Sequence, residues 1–150
     1  MVKSPQTASA AIGFAKALEE DSAKFYEDLS QRYAQDKDGF LSLAKENRKN
    51  AAQVERAYYE VISDAIEGCF AFNLNPDKYT VKTELAEETS YSDALKKAVE
   101  IEEKIIKFYL DASEMSRALI GDVSRAFDKI AKKRGERIHR LKSLLTDRAR

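Results

Sequence analysis

Apolar side chains recur at three- and four-residue intervals in four long stretches, the spacing of amphipathic helices. The first runs from about 7 to 34, with Thr7 as a candidate N-cap and Ala11, Phe14, Ala15, Leu18, Ser22, Phe25, Tyr26 and Leu29 on its inner stripe. The second, about 38–67, carries Phe40, Leu43, Ala44, Asn47, Ala51, Val54, Tyr58 and Val61, and Gly68 supplies a helix stop. The third, about 92–117, opens at Ser90 or Ser92 and lines up Leu95, Ala98, Val99, Glu102, Ile105, Ile106 and Tyr109. The fourth, about 122–147, lines up Val123, Phe127, Ile130, Ala131, Arg134, Ile138, Leu141 and Leu145. Asp36, Asp38 and Gly39 predict a short turn between the first two helices, and Gly121-Asp122 reopens the chain into the fourth.

Between helices 2 and 3 the pattern breaks. Residues 69–91 are rich in Asn, Pro and Asp, and a loop of that length needs a purpose. A helix of roughly 30 residues is about 45 Å long, and extended chain covers about 3.3 Å per residue. The segment can therefore run the length of a bundle and set helix 3 parallel to helix 2. Phe70, Phe72, Leu74, Tyr79 and Val81 would tack it to the outside; a binding loop is the other use for those aromatics. The expectation is an all-α, four-helix bundle with a long crossover between helices 2 and 3, a single domain over 1–150.

The chain also repeats itself. Ala17–Ser30, ALEEDSAKFYEDLS, returns 83 positions later as Glu100–Ser113, EIEEKIIKFYLDAS. Each copy places a glutamate (Glu19, Glu102) six residues before a Phe-Tyr pair, Phe25-Tyr26 and Phe108-Tyr109. A glutamate and the tyrosine seven positions on share one stripe of a helix. A second related segment follows each: Phe40, Leu43 and Ala44 correspond to Phe127, Ile130 and Ala131. Two helix pairs related by a two-fold axis are the economical reading.

Composition narrows the chemistry. Lys plus Arg and Asp plus Glu both number 26, so no overall field steers nucleic acid or an anionic membrane to the chain. Lys129, Lys132, Lys133, Arg137, Arg140 and Lys142 make the last helix locally basic, but they lack the interleaved aromatics of a nucleic-acid surface. The single cysteine, Cys69, leaves no internal disulfide or multi-cysteine metal site. It has no resolving cysteine that would make it a redox pair. A reducing, cytoplasmic setting is expected. No apolar run reaches a membrane span, and Met1–Thr7 lacks the apolar core of a signal peptide.

Carboxylates on an apolar stripe are costly unless paired or metal-bound. Glu19 and Glu102 lie mid-helix among Leu18, Ser22, Val99 and Ile105. Two such glutamates form half of a carboxylate-bridged di-iron site; a Glu-x-x-His on each remaining helix forms the other half. On the E-x5-F-Y and F-x2-[LI]-A segments, the chain resembles rubrerythrin-type members of the ferritin-like superfamily over about residues 8–145, without a rubredoxin-like iron module. That resemblance implies metal ligands seven and ten residues after the phenylalanine of each second segment. Those positions hold Asn47 and Asn50 after Phe40, and Arg134 and Arg137 after Phe127. Arginine offers no lone pair to a metal. Glu136 and His139, a literal Glu-x-x-His, lie two residues out of frame and turn outward by roughly 200°.

Two negative charges (Glu19, Glu102), two positive (Arg134, Arg137) and two amides (Asn47, Asn50) sum to zero. The expectation is a polar core of these six with Tyr26 and Tyr109, no metal, and a non-catalytic structural or partner-binding role. The alternative is a rubrerythrin-like di-iron or altered-metal oxidoreductase or iron-handling protein, with iron on Glu19 and Glu102. A homodimer is expected from apolar surface left over at Tyr33, Tyr59, Phe70 and Phe72.

Overall fold

The computed structural model describes residues 7–61, 74–117 and 121–149. Four α-helices account for most of them: α1 (Ala8–Arg32), α2 (Lys37–Val61), α3 (Tyr91–Ser116) and α4 (Gly121–Ala149). Among the described residues there is no strand. Cys69, Phe70, Phe72, Gly68 and the expected end of the second helix at 67 lie outside the described residues.

The helix ends follow from local chemistry. Thr7 Oγ1 accepts from the Ala10 amide at 3.1 Å, satisfying one of the free donors of α1. Ser90, rather than Ser92, caps α3, accepting from the Asp93 amide at 3.1 Å. The α1–α2 connection differs from the expected Asp36–Gly39 turn. A 3-10 turn at Ala34–Asp36 leads directly into α2 at Lys37. Asp38 thus falls in the first turn of the helix, where the helix dipole favours a carboxylate. The described glycines have no positive φ, so Gly39 continues the helix instead of breaking it.

Contacts fix the sense of the helix pairs. Along α1 and α2, Lys16 meets Glu55, Ser22 meets Asn47 and Glu27 meets Arg48, so the two run antiparallel. Glu102 meets Arg134 and Ser113 meets Ser124, so α3 and α4 do the same. Tyr26 bonds Glu102 while Tyr109 bonds Glu19, which sets α1 antiparallel to α3. All four helices feed one contiguous buried cluster that includes Leu18, Phe25, Phe40, Leu95, Phe108, Phe127 and Ile130.

The backbones within each hairpin pack closely, whereas those of α1 and α3 stand farther apart and meet through side chains such as Phe14 and Phe108. Residues 74–90 lie along that seam. Leu74, Pro76 and Tyr79 are buried, and the Tyr79 ring packs edge-on against Phe14 and Phe108, at 6.4 and 5.4 Å. This cover explains burial on α3 outside its inner stripe, at Ile101; Ile12 and Ala23 share the side of α1 that carries Lys16, Glu20 and Glu27 and faces Glu55 and Arg48 of α2. Tyr33 is not spare surface: it packs edge-on against Tyr91 at 5.1 Å and donates to the Thr89 carbonyl at 2.6 Å. Tyr59, at 70% exposure, does face solvent. No helix among the described residues is long and apolar enough to cross a membrane.

Candidate functional site

At mid-height the four inner stripes bring eight polar side chains into an otherwise apolar interior. Glu19 and Tyr26 come from α1, Asn47 and Asn50 from α2, Glu102 and Tyr109 from α3, and Arg134 and Arg137 from α4; all are buried. Arg134 is the hub. Its Nη2 donates to Glu19 Oε2 at 2.5 Å and its Nε to Glu19 Oε1 at 3.3 Å, a two-point grip on one carboxylate. Its Nη1 reaches across to Glu102 Oε2, also at 2.5 Å. One guanidinium therefore bridges the two carboxylates that the sequence repeat singles out.

The remaining donors complete the arrangement. Arg137 Nη1 donates to Asn47 Oδ1 at 2.5 Å and to Glu102 Oε1 at 3.0 Å. Its guanidinium also lies over the Tyr26 ring, 5.4 Å from the centroid, in cation–π contact. Tyr26 donates to Glu102 Oε1 at 2.7 Å, and Tyr109 donates to Glu19 Oε1 at 2.9 Å. These two bonds are each other's counterpart under the repeat. The arginines and asparagines are not, since the second half supplies both cations and the first half both amides.

Asn47 turns its own Nδ2 to Ser22 Oγ, at 2.9 Å. Asn50 is buried, but its Nδ2 has no hydrogen-bond partner, and neither does Arg137 Nε. These two unmatched donors stand at equivalent positions of the repeat. Glu46, partly exposed, meets Arg137 at 3.5 Å and Arg140 at 3.8 Å, linking the cluster to the surface. Ser22 and Glu46 escape the sequence argument. Ser22 shares the Glu19 stripe, and Glu46 adjoins Asn47, so position alone could have nominated them. Glu136 and His139 face solvent and take no part.

Electrostatics agree with this geometry. Burial alone would raise the Glu102 carboxyl, but the Arg134 and Arg137 guanidiniums outweigh it and hold the group below its ordinary value. Burial works against the charged form of Arg134, yet Glu102 and Glu19 keep it firmly protonated. The Tyr26 and Tyr109 phenols are pushed well up, first by burial and then by the adjacent carboxylates. None of the eight side chains faces solvent.

A two-iron centre does not suit this donor set. It would need carboxylate or imidazole lone pairs from α2 and α4, where the chain offers two amides and two guanidiniums. The Arg134 fork already takes up an oxygen of each glutamate. Among the described residues no three His, Cys, Asp or Glu side chains group as a metal site would require. Comparison of the chain with protein-family models, with curated proteins and with solved structures finds no match.

Proposed function

We propose that the chain is a rubrerythrin-like member of the ferritin-like superfamily in which an ion-pair core stands in place of the di-iron centre. In this reading α2 and α3 run parallel, joined by a long crossover, and the chain is a non-catalytic structural or partner-binding protein, a cytoplasmic homodimer. Support for the architecture comes from the two-fold repeat, the antiparallel senses of α1–α2 and α1–α3, and the 74–90 segment along their seam. The observation that carries the functional part is the Arg134 bridge between Glu19 and Glu102, at 2.5 Å to each.

The test is elemental analysis of protein purified after growth with ample iron and manganese. Substoichiometric metal, unchanged in Glu19→Gln, is the expected result. One or two equivalents of iron or manganese, lost on Glu19→Gln, would overturn the reading. Light scattering tests the dimer, and a 17.0 kDa species at high concentration would remove that part.

A further inference from the structure

The segment that covers the α1–α3 seam is attached differently from everything beneath it. The helices hold each other through buried apolar side chains and the ion-pair core. Residues 81–86 form neither helix nor strand and alternate half-buried Val81, Thr83 and Leu85 with exposed Lys82, Glu84 and Ala86. Long cationic side chains hold their carbonyls from outside: Lys104 Nζ to Thr80 at 3.1 Å, Lys97 Nζ to Glu84, and Arg32 to Leu85 and Ala86 at 3.2 and 2.8 Å. All four bonds are at exposed positions, where water competes for each partner. Leu74 and Pro76 anchor the start of the segment by full burial; within 77–86 the Tyr79 side chain is fully buried and its hydroxyl donates to Asp111 Oδ2 at 2.6 Å, while Val81 and Leu85 pack half-buried against the core.

An open groove of about 610 Å³, crossed by the Lys104–Thr80 bond, runs between Asp77–Lys82 and the outer face of α3 and is lined in part by buried Ile101. At the α3 end lies a compact turn, with the Thr89 amide bonded to Ala86 O at 3.1 Å just before the Ser90 cap. Weak external clamps, an open groove and a turn at one end describe a separable element. We propose that residues 77–86 are a strap that lifts from the seam as one unit while the four helices stay packed. Lifting withdraws the Tyr79 ring and uncovers Phe14 and Phe108, while the Tyr26–Glu102 and Tyr109–Glu19 hydrogen bonds inside the bundle stay covered. This holds whatever the core cluster binds.

Native-state hydrogen exchange on the full chain tests it. The reporters are the Tyr79 and Thr80 amides, each bonded to Pro76 O at 3.0 Å, read against Phe25 and Ile105 in the helices. Strap amides should exchange faster than the helix amides and show almost no dependence on low urea, because little surface opens. Lys97→Met removes a clamp far from Thr80. Loss of one such bond should speed exchange at Tyr79 and Thr80 by roughly twofold to tenfold and leave Phe25 and Ile105 unchanged. Lys104→Met should do the same. If Lys97→Met leaves Tyr79 and Thr80 unaffected, only the local turn frays and the strap is not a unit. If strap and helix amides exchange together with one urea slope, the segment belongs to the global fold; either result overturns the proposal.

Discussion

Arg134→Met is the sharpest probe of the buried cluster, because methionine keeps much of the side chain's length while removing its charge. Glu102 then retains Arg137 at 3.0 Å and Tyr26 at 2.7 Å. Glu19 retains only the Tyr109 hydroxyl, at 2.9 Å. The core goes from two negative and two positive charges to a net negative one, and the unbalanced charge falls on Glu19. Breaking a buried pair by removing one partner costs roughly 3–5 kcal/mol. A urea midpoint shift of that size is expected at pH 7. Adding Glu19→Gln to Arg134→Met removes the orphaned charge and should recover a large part of the loss, although Glu19→Gln alone is destabilising. A change under about 1 kcal/mol for Arg134→Met, or further loss on adding Glu19→Gln, would refute the reasoning.

Acid and base should attack different members of the cluster. The depressed Glu102 carboxyl contributes stability that is present above the ordinary carboxylate value of 4.5 and is lost as pH falls from there through its lower folded value. The raised Tyr26 and Tyr109 phenols contribute stability that is present below the ordinary 10.0 and is lost as pH rises above it. Urea midpoints against pH should therefore fall at both extremes, with Tyr26 and Tyr109 ionising only on unfolding in an absorbance titration. Tyr109→Phe deletes one of the three donors to Glu19 and should cost roughly 1.5–3 kcal/mol by urea unfolding, the value of a hydrogen bond to a charged group. Arg48→Ala removes solvent-exposed pairs with Glu20 and Glu27 and should leave the melting temperature close to that of the parent chain.

The helices were legible because each buries one stripe, and a 3.6-residue period survives in the order of residues. Burial at Ile12, Ala23 and Ile101 was not: Ile12 and Ala23 widen the buried face of α1 toward α2, beside Lys16 and Glu27, and Ile101 is buried where residues 77–82 lie against α3. Those contacts join positions far apart in the chain and leave no periodic trace. The composition of the charged core could be read from the repeat, which sets Glu19 against Glu102 and Asn47 and Asn50 against Arg134 and Arg137. Its wiring could not. That Arg134 grips Glu19 at two points while Arg137 lies over Tyr26 depends on side-chain reach and rotamer. Gly39 shows the opposite limit. Glycine permits a turn but does not require one, and an aspartate beside it suits a helix start equally well.

The distribution of charge between the halves gives the core a consequence beyond neutrality. Among the described residues, the α1–α2 hairpin contributes only Glu19 to the deeply buried charges, whereas α3–α4 contributes Glu102, Arg134 and Arg137. Each hairpin therefore carries an unbalanced inner charge, negative in one and positive in the other, that is cancelled only when they pack together. Two halves of similar sequence could otherwise pair like with like, and such pairings would bury two charges of the same sign. The complementary arrangement penalises those pairings and makes the stability of each hairpin conditional on its partner. Unfolding should consequently be a single transition. Far-ultraviolet circular dichroism, which follows helix, and tyrosine fluorescence, which follows the packing around Tyr26 and Tyr109, should give superimposable urea curves. Curves that separate, with helix surviving after the tyrosines have lost their native packing, would show that the hairpins hold together without the charge match and would sink the argument.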